Sequence, residues 1–375
     1  MFIRGSNILP IALASFVCCI NSNPVQAFAM KGWGPRTSTS LLSASTATEI
    51  EGSKVTTAEV LSLDSIRSTL IRQEETIIFA IIERSQFRRN NIVYEKGGFG
   101  DLGIPLGSDA VYFAHRKAPL SFLEYMLMGT EVLHCGVRRY TSPEEHAFFP
   151  ECLPSGPLDA LPQLDYPTDL LSPVASSINF NEILLKKYQE WMVPNIAKDG
   201  DDEQHGSTVL ADIVVLQALS RRVHYGLFVA ESKYRSDPEG YQRLIEAGDA
   251  DGVMELLTNS EVEARVLRRS RIKAATYGRE PLMTQLPEQK AAECGGDVSF
   301  VAAAAASAVA TAMEALDEDI QRVQGKVDPN IIEEIYRDFI IPLTKDVEVA
   351  YLFLRCGKSW PDQYGPDRMS VDVLH

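Results

Sequence analysis

Arg222 and Lys233 are eleven residues apart, close to three helical turns, which puts a guanidinium and an ammonium on one helix face. Asn259 and Glu263 are four residues apart, as are Thr344 and Glu348, so each pair also shares a face. Arg67 stands in the first turn of an apolar-periodic segment. Brought together by crossing helices, these side chains supply two guanidiniums, one ammonium, two carboxyls and two neutral hydrogen-bonding groups. Such a set suits a small dianion that carries a hydroxyl. Taken singly, each is more often a solvated helix residue, and convergence is not readable from spacing. The chain holds no Gly-rich phosphate loop, no HExxH and no Ser-His-Asp arrangement. His134, His146, His205 and His224 are scattered and read as structural or surface residues.

The elements that must carry these residues are helices. Ile66, Leu70, Ile77 and Ile81 follow a 3.6-residue repeat behind the N-cap candidates Ser62 and Asp64. Further helices are expected over about 120–134, 179–197, 207–234, 238–246, 249–256 and 259–276. A last one starts at Asp328-Pro329 and runs to about Arg355, with a kink expected at Pro342. The stretch from Pro143 to Pro173 reads as loop. Alternating strand patterns are nearly absent, so the fold is expected to be all-α, a single bundle of long helices.

The 375 residues carry 36 Lys and Arg against 51 Asp and Glu, a net charge of −15. That balance argues against a nucleic-acid or anionic-membrane partner, either of which calls for a basic footprint. Residues 1–48 contain no acid, and without them the charge is −18. Within that stretch Arg4 precedes an apolar run, Ile8 to Ile20, of signal-peptide length. Val25-Gln26-Ala27 offers small residues ahead of a cut, and residues 37–48 are rich in Ser and Thr, a transit-peptide composition. Residues 1–48 are therefore expected to be a signal plus transit-like presequence that directs the chain to a plastid. The Ala27-Phe28-Ala29 junction resembles the bipartite presequences of algae with secondary plastids. Secretion, with a plain signal and spacer, is the alternative.

Residues 49–375 are expected to form one helical domain, interrupted by an insertion at about 279–327 that includes a run of five alanines, Ala302–Ala306. Cys135, Cys152, Cys294 and Cys356 show no metal-ligand spacing and read as free thiols in a reducing compartment, so no metal site is expected.

Five blocks carry a resemblance. They are Leu63-Asp64-Ser65-Ile66-Arg67 with Ile78-Phe79-Ala80-Ile81-Ile82-Glu83-Arg84-Ser85; Arg138-Arg139-Tyr140-Thr141-Ser142-Pro143-Glu144-Glu145 with Phe148-Phe149-Pro150; Leu219-Ser220-Arg221-Arg222-Val223-His224-Tyr225-Gly226 with Phe228-Val229-Ala230-Glu231-Ser232-Lys233; Thr258-Asn259-Ser260-Glu261-Val262-Glu263; and Ile341-Pro342-Leu343-Thr344-Lys345-Asp346-Val347-Glu348-Val349. In type and order they resemble the all-helical chorismate mutases of plants and fungi.

The resemblance implies a one-substrate pericyclic rearrangement of chorismate to prephenate, with no metal or redox cofactor. It implies that Arg67 and Arg222 clamp the two carboxylates and that Lys233 donates to the ether oxygen. A protonated Glu348 donates to that oxygen from the other side, because an ionised carboxylate has no donor. Glu263 accepts from the substrate hydroxyl, and Asn259 and Thr344 fix the carboxylate ends. It also implies a homodimer whose interface binds an aromatic amino acid (tryptophan, tyrosine or phenylalanine) through Arg138 and Arg139 on one side and Gly206 and Ser207 on the other. One departure is Leu210, which stands where regulated fungal members carry a Thr that touches the effector. The competing reading is a non-catalytic helical relative that binds aromatic amino acids or a protein partner.

Overall fold

The computed structural model describes residues 56–114, 118–154, 169–277 and 326–361. Among these residues there is helix, turn and loop but no strand, so the all-α expectation holds. The presequence and nearly all of the 279–327 insertion lie outside the described residues. The helices are α1 Thr57–Val60, α2 Leu63–Arg84, α3 Ala110–Ala114, α4 Phe122–Gly136, α5 Asn181–Lys187, α6 Val193–Ile196, α7 His205–His224, α8 Gly226–Ser236, α9 Pro238–Glu246, α10 Ala250–Leu257, α11 Ser260–Tyr277, α12 Pro329–Ile335 and α13 Ile341–Arg355.

Local chemistry sets many of the starts. Ser62 caps α2 by accepting from the Ser65 N–H at 3.3 Å. Asp237 and Asp328 cap α9 and α12, each followed by a proline whose missing N–H costs nothing in a first turn. Ser121 and Glu124 form a reciprocal capping box on α4. Ile66, Ile77 and Ile81 are buried in the main core. Leu70, expected on the same stripe, is only partly buried and lines a cavity.

Two expectations need correction. The long helix expected over 207–234 is two elements, α7 and α8, joined at Tyr225 (φ −63°, ψ −13°). The break serves close packing. A β-carbon at Gly226 would stand 2.9 Å from the Thr344 carbonyl oxygen and 3.3 Å from the Glu348 Cγ, so α8 reaches α13 because Gly226 has none. Arg222 and Lys233 consequently sit on consecutive helices, not on one.

The second concerns proline. The interruption expected at Pro342 takes the form of a π turn, Tyr336–Ile340, directly before α13. A proline inside a helix removes a donor and crowds the carbonyl four residues back, and a wider turn relieves both. The same device precedes Pro194, where a π turn at Tyr188–Met192 runs into α6. The extra residue in such a turn changes which face follows, so α12 and α13 need not present one continuous stripe.

Candidate active site

Helices α2 and α11 face each other across a cavity of about 360 Å3. From α2 it is lined by Arg67, Leu70, Ile71 and Glu74, and from α11 by Val262, Arg265, Val266 and Arg269. Both sets have spacing i, i+3, i+4, i+7, one face of a helix. The helices run parallel here, because Arg269 pairs with Glu74, Lys273 with Glu75 and Tyr277 stacks on Phe79. Arg269 grips Glu74 at 2.7 Å, and Lys273 reaches the same carboxylate at 3.2 Å. Arg222, from α7, completes the lining. The volume falls in the range of small-molecule sites.

Arg222 and Arg67 differ sharply. Arg222 is 8% exposed and donates to the Thr344 hydroxyl at 3.3 Å. Among the described residues no carboxylate lies within ion-pair distance of it. Burial pushes its guanidinium below the ordinary arginine value, against the pull of Tyr336, Glu348 and Glu74. A buried cation without a direct counter-charge beside a cavity is costly unless an anion joins it. Arg67 is 63% exposed in its side chain and leans on Asp64 at 3.3 Å.

The remaining expected residues close a ring behind Arg222. Thr344 donates to the Ile340 carbonyl at 2.6 Å while accepting from Arg222. One turn along α13, Glu348 lies 3.6 Å from the Lys233 ammonium. Lys233 also donates to the Leu257 carbonyl at the end of α10. Two residues on, Asn259 caps α11 by accepting from the Val262 N–H at 3.1 Å. Glu263, in the first turn of α11, pairs with Lys345 at 2.7 Å, and Lys345 follows Thr344 in sequence. Arg222, Thr344, Glu348, Lys233, Asn259 and Glu263 are thus linked through one contact ring, with Arg67 across the cavity from Arg222. Burial raises the Glu348 carboxyl above its usual range, opposed by Lys233 and Arg222.

The chain resembles known proteins along this same stretch. A family model described as chorismate mutase type II matches residues 207–349. "Chorismate mutase 1, chloroplastic" of Petunia hybrida is 40% identical over 302 residues, 80% of this chain and 78% of the relative. The chain belongs to the chorismate mutase family. Two solved structures agree in fold. The Candida albicans chorismate mutase in complex with L-Trp has a TM-score of 0.63 and 36% identity, covering 81% of this chain and 95% of that one. AtCM1 with tyrosine bound in its allosteric site has a TM-score of 0.60 and 36% identity, covering 80% and 98%. As a chorismate mutase the chain is an isomerase that converts chorismate to prephenate.

Sequence reasoning about this chorismate mutase missed several neighbours of the site. Glu74, Arg265 and Arg269 line the cavity, Lys345 holds Glu263, and among the described residues the buried Tyr336 hydroxyl has no hydrogen-bond partner. The available signal was the pair of i, i+3, i+4, i+7 stripes, 67–74 and 262–269, in which charged residues interrupt apolar ones.

The four expected effector residues are not together within one chain. Arg138 adopts a left-handed conformation (φ 65°) after α4. Arg139 is held by Glu145 at 2.9 Å, by the Gln217 side chain at 2.9 Å and by a ring nitrogen of His134 at 3.0 Å. Gly206 and Ser207 sit exposed at the start of α7, where no side chain caps the helix. Ser207 precedes Gln217 by ten residues, about 15 Å along the helix axis.

Proposed function

We propose that the cavity and the ring behind it are the place where chorismate rearranges to prephenate. Arg222 is the observation that carries this: a buried guanidinium, without a carboxylate partner among the described residues, facing a cavity of substrate size. The reaction breaks a C–O bond as a C–C bond forms, and negative charge grows on the ether oxygen. The site must hold a compact conformer and supply donors to that oxygen. Arg222 and Arg67 clamp the carboxylates, a task suited to a planar fork. Thr344 and Asn259 fix the carboxylate ends, and Glu263 accepts from the hydroxyl.

Lys233 and Glu348 take the ether oxygen from two sides. Their 3.6 Å separation supports a shared target. The raised pKa of Glu348 supports the protonated, donating form. When a dianion enters, its charge favours that proton further. Chorismate loss, followed on the purified chain, tests the assignment. Replacing Arg222, Lys233 or Glu348 with Ala removes turnover while helicity persists. Full turnover in Arg222→Ala contradicts it.

The chain is further proposed to act as a homodimer regulated by an aromatic amino acid. The outward face of α7 carries Ser207, Leu210, Val214, Gln217 and Arg221 at alternating spacings of three and four. Leu210 and Val214 are exposed there, as are Leu133 on the neighbouring α4 and Val137 just after it. Exposed apolar stripes of this kind support an isologous helix-to-helix interface. Antiparallel pairing of two α7 helices about Val214 brings Ser207 of one copy level with Arg221 of the other, which shares Glu145 with Arg139. The uncapped N–H groups of α7 and the guanidinium of Arg139 then suit an amino-acid carboxylate. The aromatic amino acids bound in the solved relatives, L-Trp in one and tyrosine in the allosteric site of the other, support this chemistry.

Plastid targeting by residues 1–48, the single mature domain 49–375 and the insertion at 279–327 stand as proposals beside it. The chloroplastic name of the Petunia relative supports the first. A fluorescent fusion of residues 1–60 tests it, with chloroplast signal expected and secretion contradicting it.

A further inference from the structure

Arg265 has no assigned role, yet it occupies the middle of the α11 stripe that lines the cavity. It is exposed, and among the described residues no carboxylate pairs with it. Its fellow cations are buried or already in contact with a neighbour. Arg269 is locked on Glu74, Arg222 is buried on Thr344, and Arg67 leans on Asp64. The parallel register of α2 and α11 puts Val262 level with Arg67, because Arg269 pairs with Glu74 at a sequence offset of 195. Arg265 therefore lies about 4.5 Å further along the axis, between the level of Arg67 and the buried ion pair.

The chain has a net charge of −15, and its substrate is a dianion. Global repulsion therefore opposes every encounter, and local positive charge at the opening has to reverse it. We propose that Arg265 is the capture residue of the site. It attracts the incoming dianion at the cavity opening and passes its carboxylates to Arg67 and Arg222, without contributing to the rearrangement. The proposal rests on the cavity being the substrate site. It assigns Arg265 to association and KM, and Arg222 to both binding and turnover.

The experiment is steady-state kinetics of the full chain across ionic strength, with circular dichroism on each variant. Arg265→Gln is expected to raise KM about fivefold at low salt, the order given by one unit-charge contact in a water-like dielectric. Its kcat should stay unchanged, and the difference should vanish near 0.5 M salt as screening takes over, at a Debye length of about 4 Å. Arg265→Lys should restore most of the effect, because charge and not fork geometry matters, and Arg265→Glu should deepen it. A KM equal to wild type at low salt overturns the proposal. So does a rise in KM that persists unchanged at high salt, or a fall in kcat. Arg222→Ala runs alongside. If that variant keeps full turnover, the cavity assignment itself fails. If it is dead while Arg265→Gln behaves as wild type, only the capture role fails.

Discussion

The two functional regions are built on opposite plans. The proposed catalytic ring closes within one chain: Arg222 to Thr344, Glu348 to Lys233, then through Leu257 and Asn259 to Glu263 and Lys345. The proposed effector region does not close. Arg139 is occupied by Glu145, His134 and Gln217, while Ser207 stands about three turns away along α7. The first arrangement needs only helix packing. The second, in the proposed homodimer, draws its other half from another copy of the chain. On the proposed roles chemistry and its control are separable, and α7 connects them, with Arg222 near its end and Ser207 at its start.

The largest effect expected from this contrast lies in the ring. Lys233→Ala should lower kcat by about 100- to 1,000-fold, the scale of losing one preorganised donor to a developing oxyanion. Chorismate disappearance under saturating substrate measures it, and a loss below tenfold removes Lys233 from that role. Next comes the interface. Val214→Glu should yield a monomer by size-exclusion chromatography with light scattering. That monomer should keep kcat within about twofold and lose its aromatic amino-acid response, a coupling ordinarily worth 5- to 150-fold. A monomer that still responds breaks the comparison. Arg139→Ala should lose the same response while remaining dimeric.

Smaller, and read as stability, is Gly226→Ala. The added carbon meets the Thr344 carbonyl oxygen at 2.9 Å, so α8 and α13 must part. A cost of about 1–3 kcal/mol in denaturant unfolding is expected from overpacking, with turnover lowered because Lys233 and Glu348 move apart.

Two helix starts were legible in the sequence because their chemistry is local: Ser62 and Asp328-Pro329 sit where the structure caps helices, whereas the helix expected from Ser207 starts at His205 without a side-chain cap. The break at Tyr225 was not, because it answers a contact with Thr344 and Glu348 more than a hundred residues away. Pro342 signalled an interruption but not its form, since a π turn leaves no composition signature. The ring residues were readable as polar positions in apolar helices, and family resemblance supplied their roles. Their convergence depends on helix crossings that spacing does not encode. Arg265 and Arg269 illustrate the limit. They are four residues apart on one face, yet only the position of Glu74 on α2 decides which of them is committed to an ion pair.

In the proposed mechanism Glu348 works protonated. Burial holds its carboxyl above the ordinary value, opposed by Lys233 and Arg222, so folding shifts the group toward its neutral form. Stability from this group is fullest below the unfolded carboxylate pKa and is lost as pH rises through the folded one. Activity should fall over the same rise, as the donor is lost. The most direct measurement is the pH dependence of kcat/KM for the wild type beside Glu348→Gln, whose amide donates at every pH. The account predicts a wild-type profile that declines with rising pH and a Glu348→Gln profile without that decline. Coincident profiles would contradict it.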